Sequence, residues 1–191
     1  MHAPHLLLTE QGLDIAALHP TAIGLAGTYS AVSDRVEAKI AAEAEDTAPA
    51  DRLFWARKPN RHRAIDNWEE IRGKLEALGY RTCFPEEMSF DAQIRAIRGA
   101  RRIAVQNGSA SLGLFLAAKG TRLLYLSHPD MSRLAMQIEA HAQTGVEMRV
   151  LAGAFSKRTD RWVDQSNYRI AAPDFEAAMA WLEAPAEEAA P

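Results

Sequence analysis

Cysteine is nearly absent from this chain: Cys83 stands alone, which excludes an internal disulfide and fits a reducing compartment. Metal-ligand clusters are missing as well. The six histidines form no HxH, HExxH or Cys/His grouping, so neither a metal site nor a bound cofactor is expected. No GxSxG, GxGxxG or GxxxxGK(S/T) occurs, which argues against a serine hydrolase, a dinucleotide-binding protein and a P-loop NTPase. Positive charge is not in excess: the net charge is −3, and nucleic acid is not an expected partner. No apolar run reaches the length of a membrane span, and the amino terminus lacks a signal peptide's basic-then-apolar pattern. The expectation is a cytoplasmic protein without a transmembrane segment.

What remains is enough for one globular domain: 191 residues, 48% of them hydrophobic. Short apolar runs alternate with helical periodicity. Strands are expected at 52–57, 81–84, 103–106, 122–126 and 147–151, with weaker pieces at 162–164 and 168–170. Between them, Asp66 caps a helix in a capping box with Glu69, and Trp68, Ile71, Leu75 and Leu78 face the core. Ser89 caps a helix carrying Phe90, Ile94 and Ile97; Asp130 caps another at 131–144; and a terminal helix turns Phe175, Met179 and Leu182 inward. This order predicts an α/β fold, a Rossmann-like parallel sheet flanked by helices. Residues 1–50 read as an irregular segment with a helix at 28–45, 51–182 as the domain, and 183–191 as a disordered Ala/Glu/Pro tail.

Two stretches carry candidate chemistry. After the strand Ile103-Ala104-Val105 come Gln106-Asn107-Gly108-Ser109-Ala110-Ser111, then a helical pattern that stops at Gly120. The opening N–H groups of a helix lack intrahelical partners and attract anions. Gly108 permits close backbone approach, and Ser109 and Ser111 add hydroxyls; the same turn is also what a plain helix cap looks like. The second stretch, Lys58-Pro59-Asn60-Arg61-His62-Arg63 directly after Arg57, places three basic residues and a histidine in six positions. A solvated charged face is the bland reading of such a run. If the strand order is 2-1-3-4-5, however, the loop and the turn open on one crevice at the carboxyl edge of the sheet. Guanidinium groups beside a helix N-terminus would suit a diphosphate. His128 follows the fourth strand, either as an exposed loop histidine or as a ligand contact.

The same residues resemble glycosyltransferase family 61, whose members include capsular-polysaccharide-type enzymes. The likeness rests on Arg57, Arg63-Ala-Ile-Asp-Asn67-Trp-Glu-Glu-Ile, Gly79-Tyr80, Pro85-Glu86-Glu87-Met88-Ser89, Gln93, Ala100 and Gly108. It departs where many relatives have His at the position of Asn107, an Asn near Gly113 and an Arg at Ala64. The resemblance implies the C-terminal half of a GT-B enzyme: a Rossmann-like domain that binds a nucleotide sugar without a metal. A second polypeptide would then supply the acceptor side. The expected diphosphate contacts are Arg57, Arg61, Arg63, Asn107, Gly108, Ser109 and Ser111, with Asn67 and His128 as nucleotide contacts. No general base is assigned, since Asp66 and Asp130 are better explained as caps. A non-catalytic nucleotide-binding remnant, or one half of a split enzyme, is the alternative.

Overall fold

The computed structural model describes residues 33–36, 50–59, 62–130, 141–157 and 165–185. Five parallel strands form one sheet: β1 (Arg52–Trp55), β2 (Arg81–Cys83), β3 (Arg102–Gln106), β4 (Arg122–Ser127) and β5 (Glu147–Ala152). Their order is β2-β1-β3-β4-β5, so β1 and β3 are neighbours and the chain changes direction between them. The fold is α/β and Rossmann-like.

Both faces are covered. On one, Leu53, Trp55, Ile103, Val105, Leu123 and Tyr125 pack under α2 (Phe90–Gly99) and a 3₁₀ segment (Ser109–Leu116). On the other, Phe54, Ala104, Leu124 and Leu126 pack under α1 (Trp68–Ala77) and α3 (Ala172–Glu183). Period-two alternation along each strand sorts the side chains between these cores. Continuous burial of the inner strands β3 and β4 follows from their being covered on both faces.

Register brings Arg52, Arg102 and Arg122 side by side across three strands at the amino edge, with Glu147 next in the row. Like charges at this spacing would repel, and acids offset them. Arg52 Nη2 meets Glu183 at 2.8 Å, Arg102 Nη1 meets Asp51 at 2.9 Å, and Arg122 Nε meets Glu147 at 2.9 Å. Glu183 also accepts a 2.6 Å hydrogen bond from the Tyr80 hydroxyl, which ties the end of α3 to the sheet.

Several expectations need correction. Asn67, not Asp66, is the N-cap of α1, and it makes no side-chain cap bond. Leu78 is the C-cap and is 46% exposed, because Gly79 reverses the chain before another turn can form. Phe90, the first residue of α2, is 68% exposed, one turn short of the point where Ile94 and Ile97 reach the core. The segment after Gly108 is 3₁₀ rather than α-helix. Two core aromatics claim its carbonyls: Trp55 Nε1 donates to Ala110 O at 3.2 Å and the Tyr125 hydroxyl to Ser111 O at 3.2 Å. Ser111 bonds back to Gly108 O through both its N–H (3.0 Å) and its hydroxyl (2.6 Å), which closes the tighter turn.

The sequence pattern did not suggest β6 (Ala154–Lys157), which pairs antiparallel with β7 (Asn167–Arg169) in a separate two-stranded sheet. Gly153 makes it possible: a Cβ there would lie 2.6 Å from Arg169 O. Of the expected helix at 28–45, residues 33–36 are described and are helical; Ser33 Oγ accepts from Arg98 Nη1 at 3.4 Å. The expected helix at 131–144 is described only at 141–144, where it is helical. The weak strand expected at 162–164 lies outside the described residues. Of the expected tail, Glu183 belongs to α3 and the residues past Pro185 lie outside them too.

Candidate functional site

The carboxyl ends of β1, β3 and β4 and the start of β7 meet at one edge. Arg57 leaves β1 two residues beyond Trp55, and its N–H donates to Gln106 Oε1 at 3.2 Å. The Gln106 amide then donates from Nε2 to the Arg63 carbonyl at 3.2 Å. One buried glutamine therefore holds both ends of the basic loop.

Arg63 stands in the left-handed region with φ 56°, the one non-glycine residue with positive φ among the described residues. Such backbone costs of order 1–3 kcal/mol and persists where surrounding bonds over-determine it. Here Arg63 N–H donates to Gln165 O (3.2 Å), Ala64 N–H to Asn167 Oδ1 (3.1 Å), and Asp66 N–H to Tyr168 O (2.9 Å). The loop is stitched to β7 through a parallel bridge between Ile65 and Tyr168.

The two guanidinium groups differ from the arginines at the amino edge. Arg57 Nη1 and Arg63 Nε are buried and have no hydrogen-bond partner. Among the described residues no carboxylate forms an ion pair with either group. Burial, and then the positive charge of Arg63, hold the Arg57 guanidinium below its ordinary pKa. The acid that raises the Arg57 pKa in this balance, Glu86, accepts from Lys58 N–H at 2.8 Å, while Lys58 Nζ pairs with Glu87. Of the basic run, then, Lys58 is neutralised while Arg57 and Arg63 are left to each other. Arg149 Nε is also buried without a partner, but its guanidinium lies over the Trp181 ring at 4.6 Å. Like-charged groups without counter-charge raise the energy of the folded chain, and an anion between them would lower it.

Gly108 supports Arg57 in an unexpected way. Its backbone is extended, φ 173°, so no left-handed turn demands glycine. A Cβ at this position would instead lie 2.8 Å from Arg57 Cδ and 3.2 Å from Nε. The space that glycine leaves is filled by the arginine side chain. Asn107 Nδ2 donates to Ser127 Oγ at 3.1 Å, which joins the ends of β3 and β4. Ser109 is exposed, whereas Ser111 is buried with its hydroxyl engaged by Gly108 O.

Asn67 and His128 sit deeper than the sequence suggests. The Asn67 amide donates to Ile170 O at 2.9 Å and accepts from Ile170 N–H at 3.2 Å, binding the start of α1 to the end of β7. His128 is not an exposed loop residue: it is 4% exposed, stacked on Phe155 and edge-on to Tyr168. The β6–β7 hairpin covers it. Arg61 lies outside the described residues.

The basic loop and the glycine turn thus converge, as the strand order requires. The sequence profile of the family described as Glycosyltransferase 61 matches residues 15–124, more than half of the chain. The chain belongs to glycosyltransferase family 61. The matched range of this family 61 protein contains Arg57, Arg63, Gln106 and Gly108, and ends within β4. His128 and the β6–β7 hairpin lie beyond it. No curated protein matches the chain in sequence. No helix of the described residues is long and apolar enough to cross a membrane.

Two residues of the site were missed by the sequence reading. Gln106 was read as part of a polar turn. Its signal was its place: a polar residue two positions beyond Ala104, on the same face of a buried strand. Tyr168 was read only as part of a weak strand. It is fully buried, its hydroxyl donates to Leu126 O at 2.8 Å, and burial raises its pKa against the opposing influence of the Arg57 charge.

Proposed function

We propose that residues 51–182 form the donor domain of the glycosyltransferase and hold the diphosphate of a nucleotide sugar for transfer to a hydroxyl acceptor in polysaccharide biosynthesis. One observation carries this reading: two partly buried guanidinium groups that repel each other, with no carboxylate partner among the described residues, at the carboxyl edge of a parallel sheet. In such sheets ligands bind at that edge, where the strand order changes direction. Arg57 and Arg63 fork onto phosphate oxygens, with Arg61 of the same loop as a further cation. The opening N–H groups of the 3₁₀ segment at Gly108 and Ser109 complete the shell and Asn107 faces the nucleotide side, while Ser111 closes the turn beneath them and Asn67 and His128 brace the site from within.

In the reaction, the acceptor oxygen bonds to the anomeric carbon as the bond from that carbon to the β-phosphate oxygen breaks. The acceptor's proton goes to a base, and the nucleoside diphosphate departs with the bonding pair. Arg57 and Arg63 stabilise the negative charge that grows on the departing oxygen. They are in place beforehand, so little reorganisation is needed at the moment of transfer. A second polypeptide supplies the acceptor-facing wall in this reading, and the protein works in the cytoplasm, in keeping with its free Cys83.

The test is a titration of the purified protein with nucleoside diphosphates and nucleotide sugars, followed by an assay for released diphosphate and glycosylated product. Binding that depends on Arg57 and Arg63 supports the reading; no binding to any of the panel overturns it. Binding without transfer, even with added partner polypeptides, favours a nucleotide-binding remnant.

A further inference from the structure

We propose that Gln106 is a positioning residue that sets the spacing and aim of the Arg57–Arg63 pair; its effect on ligand binding rests on the donor-diphosphate reading above. Gln106 is the last residue of β3 and is 5% exposed. Alternation places it on the face of Ala104, beside the core that includes Phe54, Ala56, Ile65 and Tyr168. An aliphatic side chain would fill that position at no polar cost, whereas a buried amide is costly unless bonded.

The amide does not serve its own strand. Its oxygen takes the N–H of Arg57 and its nitrogen reaches the carbonyl of Arg63, both at 3.2 Å. These two residues carry like charges; burial and then the Arg63 charge lower the Arg57 guanidinium's affinity for its proton, and Arg63 is held at φ 56°. Repulsion acts to separate these two ends of the basic loop, and the strained backbone at Arg63 persists only where bonds hold it. Among the described residues, Gln106 is the one side chain hydrogen-bonded to the main chain of both. It therefore works as a strut: it touches no phosphate, but it keeps two phosphate-binding groups at a fixed distance and lowers the reorganisation that binding requires.

The experiment uses the full chain and two variants. Gln106→Met keeps the volume and removes both hydrogen bonds. Gln106→Glu keeps the acceptor, loses the donor and places a carboxylate between the arginines. Two readouts are taken: phenylglyoxal modification rates of Arg57, Arg63 and the exposed control Arg95 by peptide mass spectrometry, and calorimetric titration with inorganic pyrophosphate. In Gln106→Met both arginines should react several-fold faster with Arg95 unchanged, and pyrophosphate affinity should fall about tenfold, as loss of one charged hydrogen bond would give. In Gln106→Glu both arginines should react more slowly while affinity falls at least as far. A side chain that merely filled the core would not move reactivity in opposite directions. Unchanged Arg57 and Arg63 reactivity in both variants overturns the proposal. If circular dichroism shows the methionine variant unfolded, unchanged reactivity in the glutamate variant overturns it alone. Should the wild-type chain bind no pyrophosphate, the donor-diphosphate reading fails, while the modification rates still decide the role of Gln106.

Discussion

Gly108→Ala is the substitution that best separates two accounts of the glycine turn. The extended backbone at φ 173° accepts alanine without strain, so the fold should survive. The added methyl, however, would sit 2.8 Å from Arg57 Cδ and 3.2 Å from Nε, well inside van der Waals contact. The arginine must therefore rotate away from its course across the turn. Losing one charge-assisted hydrogen bond to phosphate costs about 1.5–3 kcal/mol, or on the order of ten- to a hundredfold in affinity. Calorimetry with a nucleoside diphosphate on Gly108→Ala, Arg57→Ala and the double variant measures this. If the glycine acts by making room for Arg57, the two losses overlap and the double variant is little worse than Arg57→Ala. If the glycine makes room for the ligand instead, Gly108→Ala should weaken binding just as much without Arg57. Full additivity, or wild-type affinity in Gly108→Ala, would refute the reasoning.

Other expectations follow from the same contacts. Arg57→Ala and Arg63→Ala should each weaken nucleoside diphosphate binding by about 1.5–3 kcal/mol yet leave the melting temperature unchanged or higher, since each removes a charge facing its like; a clear drop in melting temperature for both would show that they hold the fold. His141 is buried against the Tyr125 hydroxyl (Nε2 to O, 2.9 Å), and burial pushes its pKa from 6.5 down to about 3. The unfolded chain takes up that proton near pH 6.5 and the folded chain resists it. The His141 contribution to urea-unfolding free energy should therefore fall by about 1.4 kcal/mol per unit as pH is lowered between those values and stay constant above pH 6.5, and His141→Gln should reduce the slope by that amount. Glu183→Ala, which strips Arg52 and the Tyr80 hydroxyl of their shared acceptor, should cost about 1–3 kcal/mol in chemical denaturation; no change would mean that the apolar face of α3 and the Arg122 bonds to its last carbonyls suffice to hold it. Gly153→Ala forces a methyl to within 2.6 Å of Arg169 O and 2.9 Å of a Tyr168 ring carbon. It should destabilise by about 1–3 kcal/mol, checked by thermal unfolding.

The sheet was legible because its evidence is local and repeated. Runs such as Leu123-Leu124-Tyr125-Leu126 announce a strand covered on both faces, and the capping serine at 89 was right because its hydroxyl meets Ala92 N–H at 3.3 Å. The strand order followed from the crossover rule once the elements were in sequence. What could not be read were the places where distant residues overrule local preference. The Leu112–Ala118 spacing promised an α-helix, but Trp55 and Tyr125, on strands β1 and β4 of the core, take the carbonyls of Ala110 and Ser111 that would open it. Asp66 looked like the cap, yet Asn67 is tied to Ile170, a hundred and three residues on. The basic loop and the glycine turn were each ambiguous alone. Their meeting was foreseeable from topology, but the role of Gly108 as the floor beneath Arg57 was not, because no periodicity records which side chain crosses a turn.

The unequal treatment of arginine at the two ends of the sheet has a consequence for how an anion finds this protein. At one end Arg52, Arg102 and Arg122 are matched by Asp51, Glu183 and Glu147, so their fields largely cancel beyond a few ångströms. At the other, Arg57 and Arg63 have no carboxylate partner among the described residues, so their charges favour a positive local field although the chain as a whole carries −3. A polyanion approaching through dilute electrolyte meets repulsion first and attraction only at close range. At physiological ionic strength the screening length is about 8 Å, short enough to hide the distant acids but not the half-buried pair. Moderate salt should then speed encounter rather than slow it, the reverse of what strongly basic anion-binding proteins do.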